Sequence, residues 1–88
     1  MDWQKEAIDE AIVKVVTNEL GRVLKGTSNA DIKYRALDLY ESCNKILGYV
    51  VMGYWTKVLT EEEYKEYHSF VFDMVNDARC LVLFGEFI

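Results

Sequence analysis

The sequence predicts an all-α fold, a three-helix up-down-up bundle with helices at about 2–25, 29–59 and 61–84. Three observations predict it. Apolar residues recur every three to four positions through three successive stretches, the spacing of one helical face. The 88 residues contain no proline and only five glycines, so little interrupts a helix. Thr60 followed by Glu61, Glu62 and Glu63 is a helix start in its own right: Thr at the N-cap, Glu three residues on, and acids on the positive end of the helix dipole. A chain this short holds one domain, 1–88, because a second core would need more residues.

Helix one is expected to start at Asp2 as N-cap and to bury Ile8, Ile12, Val15, Val16 and Val23. Gly26 stops it, with Arg22 and Lys25 in the last turn where cations suit the exposed carbonyls. Gly26 to Asn29 is turn chemistry, and Ser28 with Asp31 resembles a capping box for helix two. Its stripe is Ile32, Ala36, Leu39, Cys43, Ile46 or Leu47, Val50, Tyr54 and Val58. Gly48 and Gly53 each cost about 1 kcal/mol relative to Ala and are places for a kink, but the stripe favours one long helix. Helix three carries Tyr64, Tyr67, Val71, Met74, Val75, Ala78 and Val82 up to Gly85, leaving Glu86, Phe87 and Ile88 as a tail. Short connectors make neighbouring helices antiparallel; the alternative is a helical hairpin that dimerises.

Composition limits function. With 51% hydrophobic residues the chain can bury a core, so disorder is excluded as a class. A net charge of −5 is the wrong sign for binding phosphate backbones, so no direct nucleic-acid binding is expected. Cys43 and Cys80 lack any paired spacing and read as free thiols, in keeping with a cytoplasmic protein without a leader. The most apolar window, 46–55, is ten residues where a membrane span needs roughly 20, so no membrane contact is expected. No catalytic, metal or nucleotide motif is present, and neither cofactor, metal nor catalytic residue is expected. The rest suits a small accessory protein of bacterial or phage type.

Candidate sites follow from residues that the bundle does not absorb. On helix two, Leu37, Gly48, Val51, Met52, Trp55 and Leu59 gather opposite the core stripe, so this helix is apolar on two sides. The second stripe either packs on another helix or forms a surface patch. The patch is the preferred reading, because so small a chain lacks the interior to hide it. With Leu83 and Phe84, and with Phe72, Phe87 and Ile88 nearby, the expected partner-binding residues are Val51, Met52, Trp55, Leu59, Leu83 and Phe84. Trp55 is an anchor type, and Gly48 lets a second backbone come close. A homodimer and a protein partner are therefore expected.

Glu19 interrupts the apolar face of helix one. A level count places it near positions 36 and 78, so Arg22, Arg35 and Arg79 are expected around it. The first reading is an ion-pair network that fixes register; the second is an anion-binding or enzyme site built on Glu19, Arg35 and Arg79, with Glu19 as hydrogen-bond acceptor or general acid. His68, the only histidine, reads as a packed ring, and Cys43 as a small buried hydrophobe. Glu61, Glu62, Glu63 and Glu66 fall at the same end as Asp2, Glu6, Asp9 and Glu10. That acidic surface caps a helix, or offers a basic partner an imitation of nucleic-acid phosphates, although Lys5, Lys45, Lys57 and Lys65 dilute it. The function expected from these features is non-catalytic: an interaction or regulatory protein using the helix-two patch with an acidic rim.

Overall fold

The computed structural model describes residues 3–86, and within them the chain is all-helical. Its elements are α1 (Trp3–Lys14), a π-helical turn (Val15–Leu20), α2 (Gly21–Leu24), α3 (Asn29–Trp55) and α4 (Glu61–Phe84). The backbone stays in the right-handed helical region at both junctions, Lys14 and Gly21, so the first three form one continuous rod. The expected N-cap Asp2 and the tail residues Phe87 and Ile88 lie outside the described residues.

The π turn corrects the expected stripe of the first helix, and burial explains it. Ile8, Val15 and Val23 are the rod's buried residues. From Ile8 to Val15 is seven residues, close to two α turns, but from Val15 to Val23 is eight. At about 100° per residue, an unbroken α-helix would leave Val23 about 80° off the face. A turn with i→i+5 bonding absorbs one extra residue and brings Val23 back. Leu20 follows it onto the core, whereas Val16, expected inside, is 39% exposed.

The rod ends where Lys25 and Gly26 donate their N–H groups to the Arg22 and Val23 carbonyls. Gly26 then lies so close to α3 that a Cβ there would stand 2.5 Å from Ile32 Cγ1. At the start of α3, Ser28 Oγ accepts the Asp31 N–H at 3.1 Å. The reciprocal arm of a capping box is missing, because the Asp31 carboxylate takes the Thr27 N–H and the Arg35 side chain instead. Those two partners, the Thr27 N–H first, hold the Asp31 carboxyl below its usual range.

α3 passes Gly48 and Gly53 without a break and buries Ala36, Leu39, Cys43, Ile46, Val50 and Gly53. The alternating spacing of three and four is that of helices packed lengthwise. α3 stops at Trp55, short of the expected 59. Lys57 takes a left-handed conformation (φ 63°), and the N–H groups of Val58 and Leu59 both turn back to the Gly53 carbonyl. The reversal lays Leu59 over Gly53, where a side chain at 53 would collide with it, and leaves Leu59 only 3% exposed.

α4 starts as expected. Thr60 Oγ1 accepts the Glu63 N–H at 3.2 Å while the Glu63 carboxylate accepts the Thr60 N–H at 3.0 Å. It ends at Gly85, left-handed at φ 73°, whose N–H reaches the Leu81 carbonyl. Buried Val71, Val75, Ala78 and Leu81 face α3, and these two helices pack most closely. The first rod lies mainly on α3, and the molecule measures 43 × 20 × 14 Å.

Candidate interaction surface

Angular position sorts the side chains of α3. Arg35, Asp38, Ser42 and Ile46 lie toward the first rod. Arg22 Nη1 donates to Asp38 at 2.8 Å, Arg35 Nη1 to the Arg22 carbonyl at 3.0 Å, and Ser42 Oγ to Glu19 at 2.8 Å. Tyr40, Cys43, Leu47 and Tyr54 lie toward α4. What remains is the second stripe, and neither neighbour covers it: Trp55 is 76% exposed and Met52 60%, while Leu37 is exposed and Val51 half-buried. Nothing stands within 4 Å of a Cβ placed at Gly48.

Three of the expected partner-binding residues do not join that patch. Leu59 belongs to the core, because the turn after Trp55 folds it inward. Leu83 and Phe84 are exposed, but Gly85 beside them packs on Asn29 at the far end of α3. At 1.5 Å per residue, Met52 is roughly 35 Å along the helix from there. The exposed residues of the expected set therefore fall in two separate areas, with Val51, Met52 and Trp55 in one of them.

An aromatic row borders this first area. Tyr54 stacks on Tyr64 with ring centroids 4.4 Å apart, Tyr64 meets His68 at 5.4 Å, and His68 stacks on Phe72 at 5.6 Å. His68 is thus a packed ring among rings, as expected. Among the described residues no group of three His, Cys, Asp or Glu side chains converges as metal ligands. The spacing of 64, 68 and 72, one helical turn each, was legible in the sequence, but only the turn at 56–59 delivers Tyr54 to its end.

Glu19 has a different partner from the expected ones. Its Oε1 accepts from Ser42, and Oε2 is buried without a donor. The level count misplaced it because the Gly26 connector folds back along the first turn of α3, moving its neighbour from Ala36 to Ser42, about 9 Å along the helix axis. Arg35 is occupied by Asp31 and Arg22 by Asp38. Arg79 is exposed and in none of the ion pairs found among the described residues; one position beyond buried Ala78, it is turned away from the rod. The three arginines do not enclose Glu19. An open groove of about 350 Å³ lies beside it instead, lined by Ala11, Lys14, Asn18, Ser42, Lys45 and Tyr49 among others.

The acidic end is partly neutralised. Glu63 pairs with Lys5 and Glu61 with Lys65, leaving Glu62 and Glu66 exposed. Tyr67 donates to Asp9 at 2.5 Å across the two helices. Burial first, and that bond second, push the Tyr67 hydroxyl up to about 12. Both cysteines are free thiols, Cys43 buried and Cys80 half-buried; burial, then the nearby Glu19 charge, pushes Cys43 up to about 11, far from a reactive thiolate. Among the described residues no helix is long and apolar enough to cross a membrane.

No protein-family model, curated protein or solved structure matches this chain.

Proposed function

We propose that this chain is a small non-catalytic interaction or regulatory protein of the cytoplasm, working as a homodimer through the apolar surface of α3. The observation that carries it is Trp55, 76% exposed with Met52 beside it on a helix whose other sides are already packed. A large aromatic ring left in water on a rigid helix is the kind of anchor that dominates binding energies. Affinity would come from burying that surface, and orientation from the acids of the α4 start at its rim.

The proposal includes an up-down-up course for the three helices. It is supported by the pairs Lys5 with Glu63 and Asp9 with Tyr67, which keep one constant offset, as parallel neighbours do. Glu19 with Ser42 and Arg22 with Asp38 shift in opposite senses, as antiparallel neighbours do. The anion-site reading has less support, since Glu19 is bonded to Ser42, Arg35 to Asp31, and Arg79 is turned away from both.

Absolute mass by light scattering over a wide concentration range tests the reading, with Trp55→Glu beside the parent chain. A dimer that Trp55→Glu weakens while helicity is kept is expected. A parent that is monomeric throughout removes the homodimer, and a Trp55→Glu chain that unfolds would place Trp55 in the core.

A further inference from the structure

We infer that a second copy of this chain seats on the open side of the α3–α4 hairpin, where the aromatic row Tyr54, Tyr64, His68 and Phe72 of each copy is buried against the other. This rests on the homodimer proposed above and adds the face that joins it. The first rod occupies only one side of the hairpin, through Ser42 and Asp38 on α3 and Glu63 and Tyr67 on α4. At about 100° per residue, His68 and Phe72 lie on the other flank of α4, beside Tyr54 and Val51 of α3. Rings in contact along two adjacent helices make a continuous ridge.

Charge argues that the occupant is a copy. The same angular count puts Lys33, Lys65 and Arg79 on this side with Glu41, Glu61 and Glu62, a balance of zero on a chain of net charge −5. The remaining surface therefore carries the whole −5. Two copies meeting elsewhere would press like charges together, whereas here they meet through rings and a nearly neutral rim. A basic partner would be drawn to the acids of the α4 start instead. A two-fold axis across the row is self-complementary and closes at a dimer.

The test compares two surface phenylalanines of one helix by sedimentation equilibrium on the full chain. Phe72 is 46% exposed on the row; Phe70 is 51% exposed on the flank shared with Lys5, Ile12 and Tyr67. Phe72→Glu is expected to weaken the dimer about 30-fold or more, the loss typical of a central anchor, and Phe70→Glu less than threefold. A dimer that survives Phe72→Glu but falls with Trp55→Glu joins through the outer stripe alone; the homodimer then stands and this inference fails. A parent that never dimerises overturns both. Isotope-filtered NMR on mixed labelled and unlabelled parent chains needs no substitution. Contacts from the Phe72 ring to the other copy are expected, and their absence in a dimer overturns the inference.

Discussion

The α3–α4 hairpin and the first rod are built from similar residues and packed in different ways. In the hairpin, Ala36, Leu39, Cys43, Ile46 and Val50 repeat at three and four and meet Val71, Val75, Ala78 and Leu81 with no break in either α-helix. In the rod the spacing from Val15 to Val23 is one residue too long, and a π turn absorbs the surplus. The consequences collect around that turn. Glu19 Oε2 is buried without a donor, the groove beside Ser42 stays open, and a cavity of about 90 Å³ remains among Val15, Leu20, Cys43, Met74 and Ala78. A regular heptad closes a seam; a one-residue surplus is tolerated at the cost of voids and an unsatisfied oxygen. The hairpin is accordingly the unit able to present a fixed outer face.

The largest break of this comparison is a pair of single-residue deletions. Removing exposed Asn44 rotates Ile46, Val50 and Gly53 by about 100° off the seam, and loss of cooperative thermal unfolding is expected. Removing exposed Thr17 shortens the step from Val15 to Val23 to seven residues. That chain is expected to stay folded, with its melting temperature lowered by a few degrees at most, or raised. Equal damage from both would mean that the π turn is not a tolerated surplus.

A smaller effect separates the partners at the turn. Ser42→Ala leaves the Glu19 carboxylate with no donor at either oxygen, and a loss of about 1–3 kcal/mol in urea unfolding is expected. Glu19→Leu removes the buried carboxylate itself and is expected to cost less than Ser42→Ala, or to stabilise. The opposite order would show that Glu19 is held by something other than Ser42.

The smallest effect is read at high pH. Cys43 in the hairpin and Tyr67 on the bond to the rod both ionise later in the folded chain than in the unfolded one. Their contributions are complete below the unfolded values and are lost as pH rises, from 9.0 to about 11 for Cys43 and from 10.0 to about 12 for Tyr67. Melting temperatures measured from pH 8 upward are expected to fall in that window, with Cys43→Ala removing the earlier part and Tyr67→Phe the later. A flat profile in the parent contradicts the assignment.

How much of this was legible in the sequence differs between the two regions for the same reason. α4 could be read nearly to the residue, because the Thr60–Glu63 box and the left-handed Gly85 are local chemistry. The π turn could not, since Val16 to Val23 is also seven residues and an unbroken stripe through Val16 looks satisfactory. Leu59 continued the apolar pattern, and nothing near it marks Lys57 as the residue that turns left-handed. At the candidate surface, Trp55 and Met52 were identified as exposed from angle alone. The aromatic row was missed as a unit because Tyr54 joins it across a turn.

Native-state hydrogen exchange, followed by mass spectrometry on a dilute sample, tests the difference between the two regions most directly. Amides of Ala36 to Val50 and of Val71 to Leu81 are expected to exchange last, through global unfolding, while those from Val15 to Leu20 exchange earlier by local opening. Equal protection along the rod and the hairpin would contradict the account, since the π turn would then be held as tightly as the heptad seam.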